Sequence, residues 1–170
     1  MAHALAPRLN RADYIGQRGY LLTICTFQRA PILRSAELVE SLLAQFRECS
    51  TRHQFANHAH SFMPDHVHFV LEGQSSASDF VEVVRVWKSE TAFHFKRATS
   101  RRLWHRSFYD RVVRDHDEMV AFARYVIENP VRAGLSEERC RYPFVGSDTT
   151  TIDEILRGEL PQRTARKFVV

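Results

Sequence analysis

Phe55-Ala-Asn-His-Ala-His-Ser-Phe-Met-Pro-Asp-His-Val-His-Phe-Val-Leu-Glu72 is the stretch that decides the fold. Two runs rich in strand-forming residues are separated by Pro64-Asp65, so they read as strands 55–63 and 66–72 joined by a tight turn. On the N-terminal side, Val39, Leu42, Leu43 and Phe46 recur at i, i+3, i+4 and i+7 and predict a helix. Ser35 is its expected N-cap, and the helix is expected to reach about His53. Before it, Tyr20-Leu-Leu-Thr-Ile-Cys-Thr-Phe27 reads as a first strand, closed by Pro31. On the C-terminal side, Gly73 to Ser78 is a polar loop, and Ser78 is expected to cap a second helix. Phe80, Val83, Val84, Trp87 and Thr91 line that helix to about Lys96, and a basic connector follows at 97–102.

Leu103 to Arg114 then reads as a fourth strand, or as two short ones. Asp115-His-Asp-Glu118 has the form of a capping box. Met119, Phe122, Ala123 and Val126 mark a third helix, expected to stop near Asn129-Pro130 because proline breaks the helical hydrogen-bond ladder. The order β-α-β-β-α-β-α is that of an α+β, ferredoxin-like (RRM-like) antiparallel sheet with two helices on one face, plus an additional helix. The chain divides into a basic N-terminal arm (1–18), one domain (19–145) and a C-terminal tail (146–170). The tail ends basic at Arg163, Arg166 and Lys167, with a short helix expected near 152–157.

The chain has 170 residues and a formal net charge of +4, a mild lean toward polyanionic partners. Three widely spaced cysteines, Cys25, Cys49 and Cys140, argue against a disulfide framework and a CxxC-type zinc site. No secretory signal is visible, and no apolar run approaches the length of a membrane helix, so a cytoplasmic protein without membrane contact is expected.

Two features carry chemistry. His66 and His68 alternate with Val67 on a strand, so both imidazoles point to one side and can supply two metal ligands. The bland reading is a pair of hydrogen-bonded or solvated strand histidines. Tyr125 lies off the apolar stripe of the third helix, with Asn129 on the same face four residues later. A tyrosine can act as a covalent nucleophile and an amide oxygen as a ligand. The bland reading here is an amphipathic-helix tyrosine and a C-terminal cap. Arg85, Lys88, Lys96, Arg97, Arg101 and Arg102 either track a phosphate backbone or form a solvated face. Trp104, Phe108 and Tyr109 either stack on unpaired bases or pack in the core. Tyr109, in a strand region without an amide partner at helical spacing, is the decoy nucleophile.

Taken together, Met63-Pro-Asp-His-Val-His68, Trp104 through Arg114 and Tyr125-Val-Ile-Glu-Asn-Pro-Val-Arg-Ala-Gly-Leu135 resemble the HUH-type, single-tyrosine (IS200-like) transposases, in particular the REP-associated tyrosine transposase branch. The resemblance spans roughly residues 15 to 145. It implies a metal-dependent endonuclease that cleaves and rejoins single-stranded or hairpin DNA through a 5′-phosphotyrosine intermediate. By that resemblance Tyr125 is the nucleophile, on the additional helix. His66 and His68 hold Mg²⁺ or Mn²⁺, with Asn129 as third ligand where many relatives carry Gln. Members act as monomers or homodimers.

Rival readings remain open from sequence. A catalytically inactive, domesticated single-stranded nucleic-acid binder would share the fold, although the standard RRM aromatic signature is absent. A small-molecule metallohydrolase would leave Tyr125 unexplained and lacks an HExxH motif.

Overall fold

The hairpin of β2 (Phe55–Met63) and β3 (His66–Gly73) forms as its sequence predicts, with Met63 opposite His66 across the Pro64-Asp65 turn. The computed structural model of the chain describes residues 10–138 and 141–161. Strand β1 (Gly19–Cys25) pairs antiparallel with β3, and β4 (Tyr109–Val113) pairs with β1 on its other side. A two-residue strand, β5 (Val145–Gly146), pairs with β2. The five-stranded order is β4-β1-β3-β2-β5, the ferredoxin-like order extended by one edge.

Strand alternation gives the sheet two apolar faces. On the first, Tyr20, Leu22 and Ile24 of β1 and Val67, Phe69 and Leu71 of β3 meet helices α1 (Ala36–Arg52) and α2 (Phe80–Thr99). Val39, Leu42 and Phe46 of α1 and Val83, Val84 and Trp87 of α2 fill that layer. Burying such a side chain contributes roughly 1.5–3 kcal/mol each. On the second face, Ala59, Val70 and Val113 of the sheet meet Met119, Ala123, Val126 and Ile127 of α3 (His116–Arg132). The additional helix therefore lies on the side of the sheet opposite α1 and α2. Ile155 of α4 (Ile152–Arg157) closes this second layer.

Several expectations are corrected by competing local chemistry. Helix α2 is capped by Asp79, whose side chain accepts from the Glu82 N–H; Ser78 Oγ donates to the Gln54 carbonyl instead. The region 103–114 yields only β4, and Trp104 makes a lone bridge to Thr26. Asp115 caps α3, but the Glu118 carboxylate accepts from the Arg114 N–H, so the reciprocal box is not formed. Helix α3 continues through Pro130 to Arg132. A proline so near the end forfeits one helical bond, while its ring is buried. The short helix expected near 152–157 forms as α4, while β5 (Val145–Gly146) was not expected from sequence. In the region read as an arm, Tyr14 is buried and stacks on Phe80, ring centroids 5.9 Å apart. Arg8, Cys140, Arg163, Arg166 and Lys167 lie outside the described residues.

Candidate functional site

The sheet places His66 and His68 on the α3 face, because their neighbour Val67 points into the α1–α2 core. Their rings lie 4.7 Å apart between centroids. Helix α3 crosses this face and brings the Tyr125 ring to 5.9 Å from that of His68, edge to face. Met119, Ala123, Val126 and Ile127 bury the helix's other side, which sets the rotation that leaves Tyr125 facing the histidines and 36% exposed. Asn129 follows one turn later on the same helix and is half-buried. Its side-chain amide makes no hydrogen bond among the described residues. Arg132 lies over the Tyr125 ring at 5.2 Å and pairs with Glu128.

Each histidine is held at Nδ1. The Asp65 carboxylate accepts from His66 Nδ1 at 2.6 Å, and its other oxygen faces Arg29 at 3.3 Å. Partial burial raises the Asp65 carboxyl, but the His66 hydrogen bond, the His66 charge and Arg29 together hold it below the usual carboxylate range. An ionised carboxylate can only accept, so His66 Nδ1 is the donor in this contact, which leaves Nε2 as the ring atom available to an ion. His68 Nδ1 lies 2.8 Å from Thr23 Oγ1, directly across the β1–β3 ladder. At 7% exposure His68 is pushed down to about 3, chiefly by burial and then by the His66 and Arg29 charges, so it is neutral at physiological pH. Two imidazoles with tethered Nδ1 atoms, their Nε2 atoms left over, form a nitrogen pair suited to a divalent cation.

The donor set fits Mg²⁺ or Mn²⁺ completed by oxygen ligands better than a closed zinc site, which would call for thiolates or more imidazoles. Among the described residues no three His, Cys, Asp or Glu side chains converge. An ion held by His66, His68 and the Asn129 amide would keep open positions for substrate oxygens.

Thr23, Asp65 and Arg29 belong to the site and were not singled out from sequence. Thr23 had one signal, a hydroxyl in an otherwise apolar strand; Asp65 had its place immediately before His66. The remaining sequence candidates disperse. Tyr109 is 43% exposed on edge strand β4, opposite Thr23 in register, and so on the same sheet face as His68 but one strand removed. Trp104 is 5% exposed with its indole N–H donated to Thr91 Oγ1, which leaves too little ring for a base to stack on. Lys88 donates to the carbonyls of His105, Arg106 and Ser107. Arg85 pairs with Glu82, and Arg97 lies over Phe93. Lys96, Arg101 and Arg102 have no carboxylate partner among the described residues.

The family model described as "Transposase IS200 like" matches residues 16–129. No curated protein matches the chain in sequence. Among solved structures, the chain is similar in fold to a REP-associated tyrosine transposase bound to a REP hairpin. The TM-score is 0.70 at 19% identity, over 94% of this chain and 89% of that one. It is also similar to a candidate transposase from Deinococcus radiodurans R1, with a TM-score of 0.50 at 24% identity, over 68% of this chain and 92% of that one. Among the described residues no helix is long and apolar enough to cross a membrane.

Proposed function

The chain belongs to the IS200-like transposase family, and we propose that it is a divalent-metal-dependent, single-tyrosine nuclease that cuts and rejoins single-stranded DNA. The observation that carries this reading is the packing of the exposed Tyr125 ring against His68, beside a second imidazole whose Nδ1 is likewise tethered. A structural tyrosine or a pair of structural histidines needs no such convergence. The solved relative is bound to a REP hairpin, and this reading gives the present chain a DNA hairpin with single-stranded flanks as its class of substrate.

His66, His68 and Asn129 hold the ion in this scheme. A bound Mg²⁺ or Mn²⁺ supplies Lewis-acid polarisation of the scissile phosphate. Tyr125 Oη forms a bond to phosphorus as the bond from phosphorus to the 3′ oxygen breaks. The phenol gives up its proton and the departing 3′ oxygen gains one, leaving a 5′-phosphotyrosine and a free 3′-hydroxyl. A second 3′-hydroxyl reverses the step and joins strands, returning the proton to Tyr125. The covalent link conserves one phosphodiester throughout, so no nucleotide cofactor is consumed. Helix α3 keeps Tyr125 in reach through its buried face, and Asp65 and Thr23 keep the imidazoles oriented.

A denaturing gel tests the reading, using labelled hairpin oligonucleotides from repeats flanking the gene, with Mn²⁺. The expected result is a protein–DNA adduct that disappears with Tyr125→Phe or chelator and persists with Tyr109→Phe. DNA binding without cleavage or adduct on every hairpin would overturn it in favour of a non-catalytic binder.

A further inference from the structure

Helix α2 and the segment from Arg101 to Phe108 enclose a groove of about 480 Å³ on the side of the sheet away from Tyr125. Its floor is apolar, built on Leu103, Trp104 and Phe108. Its walls carry Arg85, Lys88, Lys96, Arg101, Arg102 and Arg106, and no carboxylate lines it.

Elsewhere many of the surface arginines are balanced locally. Arg11, Arg47, Arg52, Arg111 and Arg157 each pair with a carboxylate. In the groove only Arg85 does, on Glu82 outside the lining. Lys96, Arg101 and Arg106 have no carboxylate partner among the described residues, and Arg102 lies over the Phe27 ring at 4.4 Å instead. The sequence from Thr91 to Tyr109 contains no Asp or Glu. Cations gathered without counter-charge repel one another, and an extended polyanion relieves that repulsion by releasing its own counterions. A second observation narrows the ligand. Phe93, one helical turn before Lys96, is 58% exposed, and Arg97 lies over its ring. An exposed aromatic ring beside unpaired cations fits a polyanion with accessible bases, and a duplex hides its bases.

The groove also lies near the candidate site. The Phe27 N–H donates to the Leu103 carbonyl and the His105 N–H to the Cys25 carbonyl, both at 2.8 Å. Cys25 is the register partner of His66. The segment that forms the groove wall is therefore fixed to the end of the sheet that carries His66.

We propose that this groove is a second DNA subsite, which takes a single-stranded flank of the substrate by its phosphates and stacks one base on Phe93. The identification of the strand as DNA rests on the nuclease reading above; the charge and shape arguments do not. The two are separated by measuring binding in EDTA in a Tyr125→Phe background, where no adduct can form. The probe is a fluorescein-labelled oligodeoxythymidylate of about 12 nucleotides, read by anisotropy across a salt series. Replacing Lys96, Arg101 and Arg106 by Ala is expected to weaken binding at least about tenfold and to reduce the log–log salt slope by about 2, at about 0.7 per phosphate contact. Phe93→Ala is expected to weaken binding about fivefold or more at unchanged slope. The control replaces Arg47, Arg141 and Arg157 by Ala, an equal change in net charge away from the groove. An equal loss in the control, an unchanged slope in the groove variant, or equal competition by a blunt duplex of the same length would each overturn the proposal. Absence of any adduct from the protein that retains Tyr125, with Mn²⁺ present and groove binding intact, would overturn the nuclease reading alone.

Discussion

Asp65→Ala separates a positioning role from a structural one at the candidate metal site. The carboxylate accepts from His66 Nδ1 at 2.6 Å and is only partly buried. An ion pair so exposed contributes about 1 kcal/mol or less to stability once solvent screening is allowed for. The backbone carbonyl of residue 65, which accepts from the Thr26 N–H and hydroxyl, survives the substitution. The Ala variant should therefore unfold in urea within about 1 kcal/mol of wild type. Its effect on the metal is larger. Without the carboxylate, the His66 ring is free to carry its proton on Nε2, the nitrogen that would face the ion, and to rotate. Loss of such an outer partner lowers metal affinity about 10- to 100-fold, which corresponds to about 1.4–2.7 kcal/mol. Titration calorimetry with MnCl₂ measures that loss, and urea unfolding without metal measures the stability. Wild-type Mn²⁺ affinity in Asp65→Ala, in a protein where His66→Ala abolishes binding, would refute the reasoning. A loss of several kcal/mol in stability would refute it too, by making the turn itself the cause.

Further outcomes follow from the packing. A Cβ at Gly73 would lie 2.2 Å from the backbone oxygen of Gly16, so Gly73→Ala should cost about 1–3 kcal/mol by urea unfolding. Gly134→Ala, at φ +69° with nothing within 4 Å, should cost only about 1 kcal/mol, from backbone strain alone. Burial pushes His60 down to about 4, and the Asn57 amide donates to its Nδ1. The folded state therefore resists a proton that the unfolded chain takes up near about 6.5, and stability should fall as pH drops from about 6.5 toward 4. A flat urea midpoint across that window would contradict this. Lys88→Met leaves the carbonyls of His105, Arg106 and Ser107 without their shared donor. Limited proteolysis should then cut the 105–107 segment faster, at little change in the unfolding midpoint.

The sequence is informative where one local rule acts alone and silent where two compete. The β2–β3 hairpin and α1 were legible because alternation, helical period and the Ser35 cap agree with the packing. The end of α3 was not, because burial of Pro130 outweighs one lost helical bond. Ser78 and Asp79 are both good caps, and which one serves depends on the distant Gln54 carbonyl. At the site, the His66/His68 pair and Tyr125 were visible from spacing. Thr23 was not, since its partnership with His68 depends on a strand register spanning 45 residues of sequence. Lys88 and Trp104 share a basic, aromatic stretch with residues that face solvent. Composition alone cannot reveal that their polar atoms serve three backbone carbonyls and Thr91.

The most direct test of the central claim is mass spectrometry of the covalent adduct. Protein incubated with Mn²⁺ and the labelled hairpin is digested with nuclease and then trypsin, which cuts after Arg124 and Arg132. The expected product is the peptide Tyr125-Val-Ile-Glu-Asn-Pro-Val-Arg132 carrying a 5′-nucleotide on its tyrosine. A nucleotide on Ser107-Phe-Tyr-Asp-Arg111 instead, or cleaved DNA with no modified peptide, would contradict the assignment of Tyr125 as nucleophile.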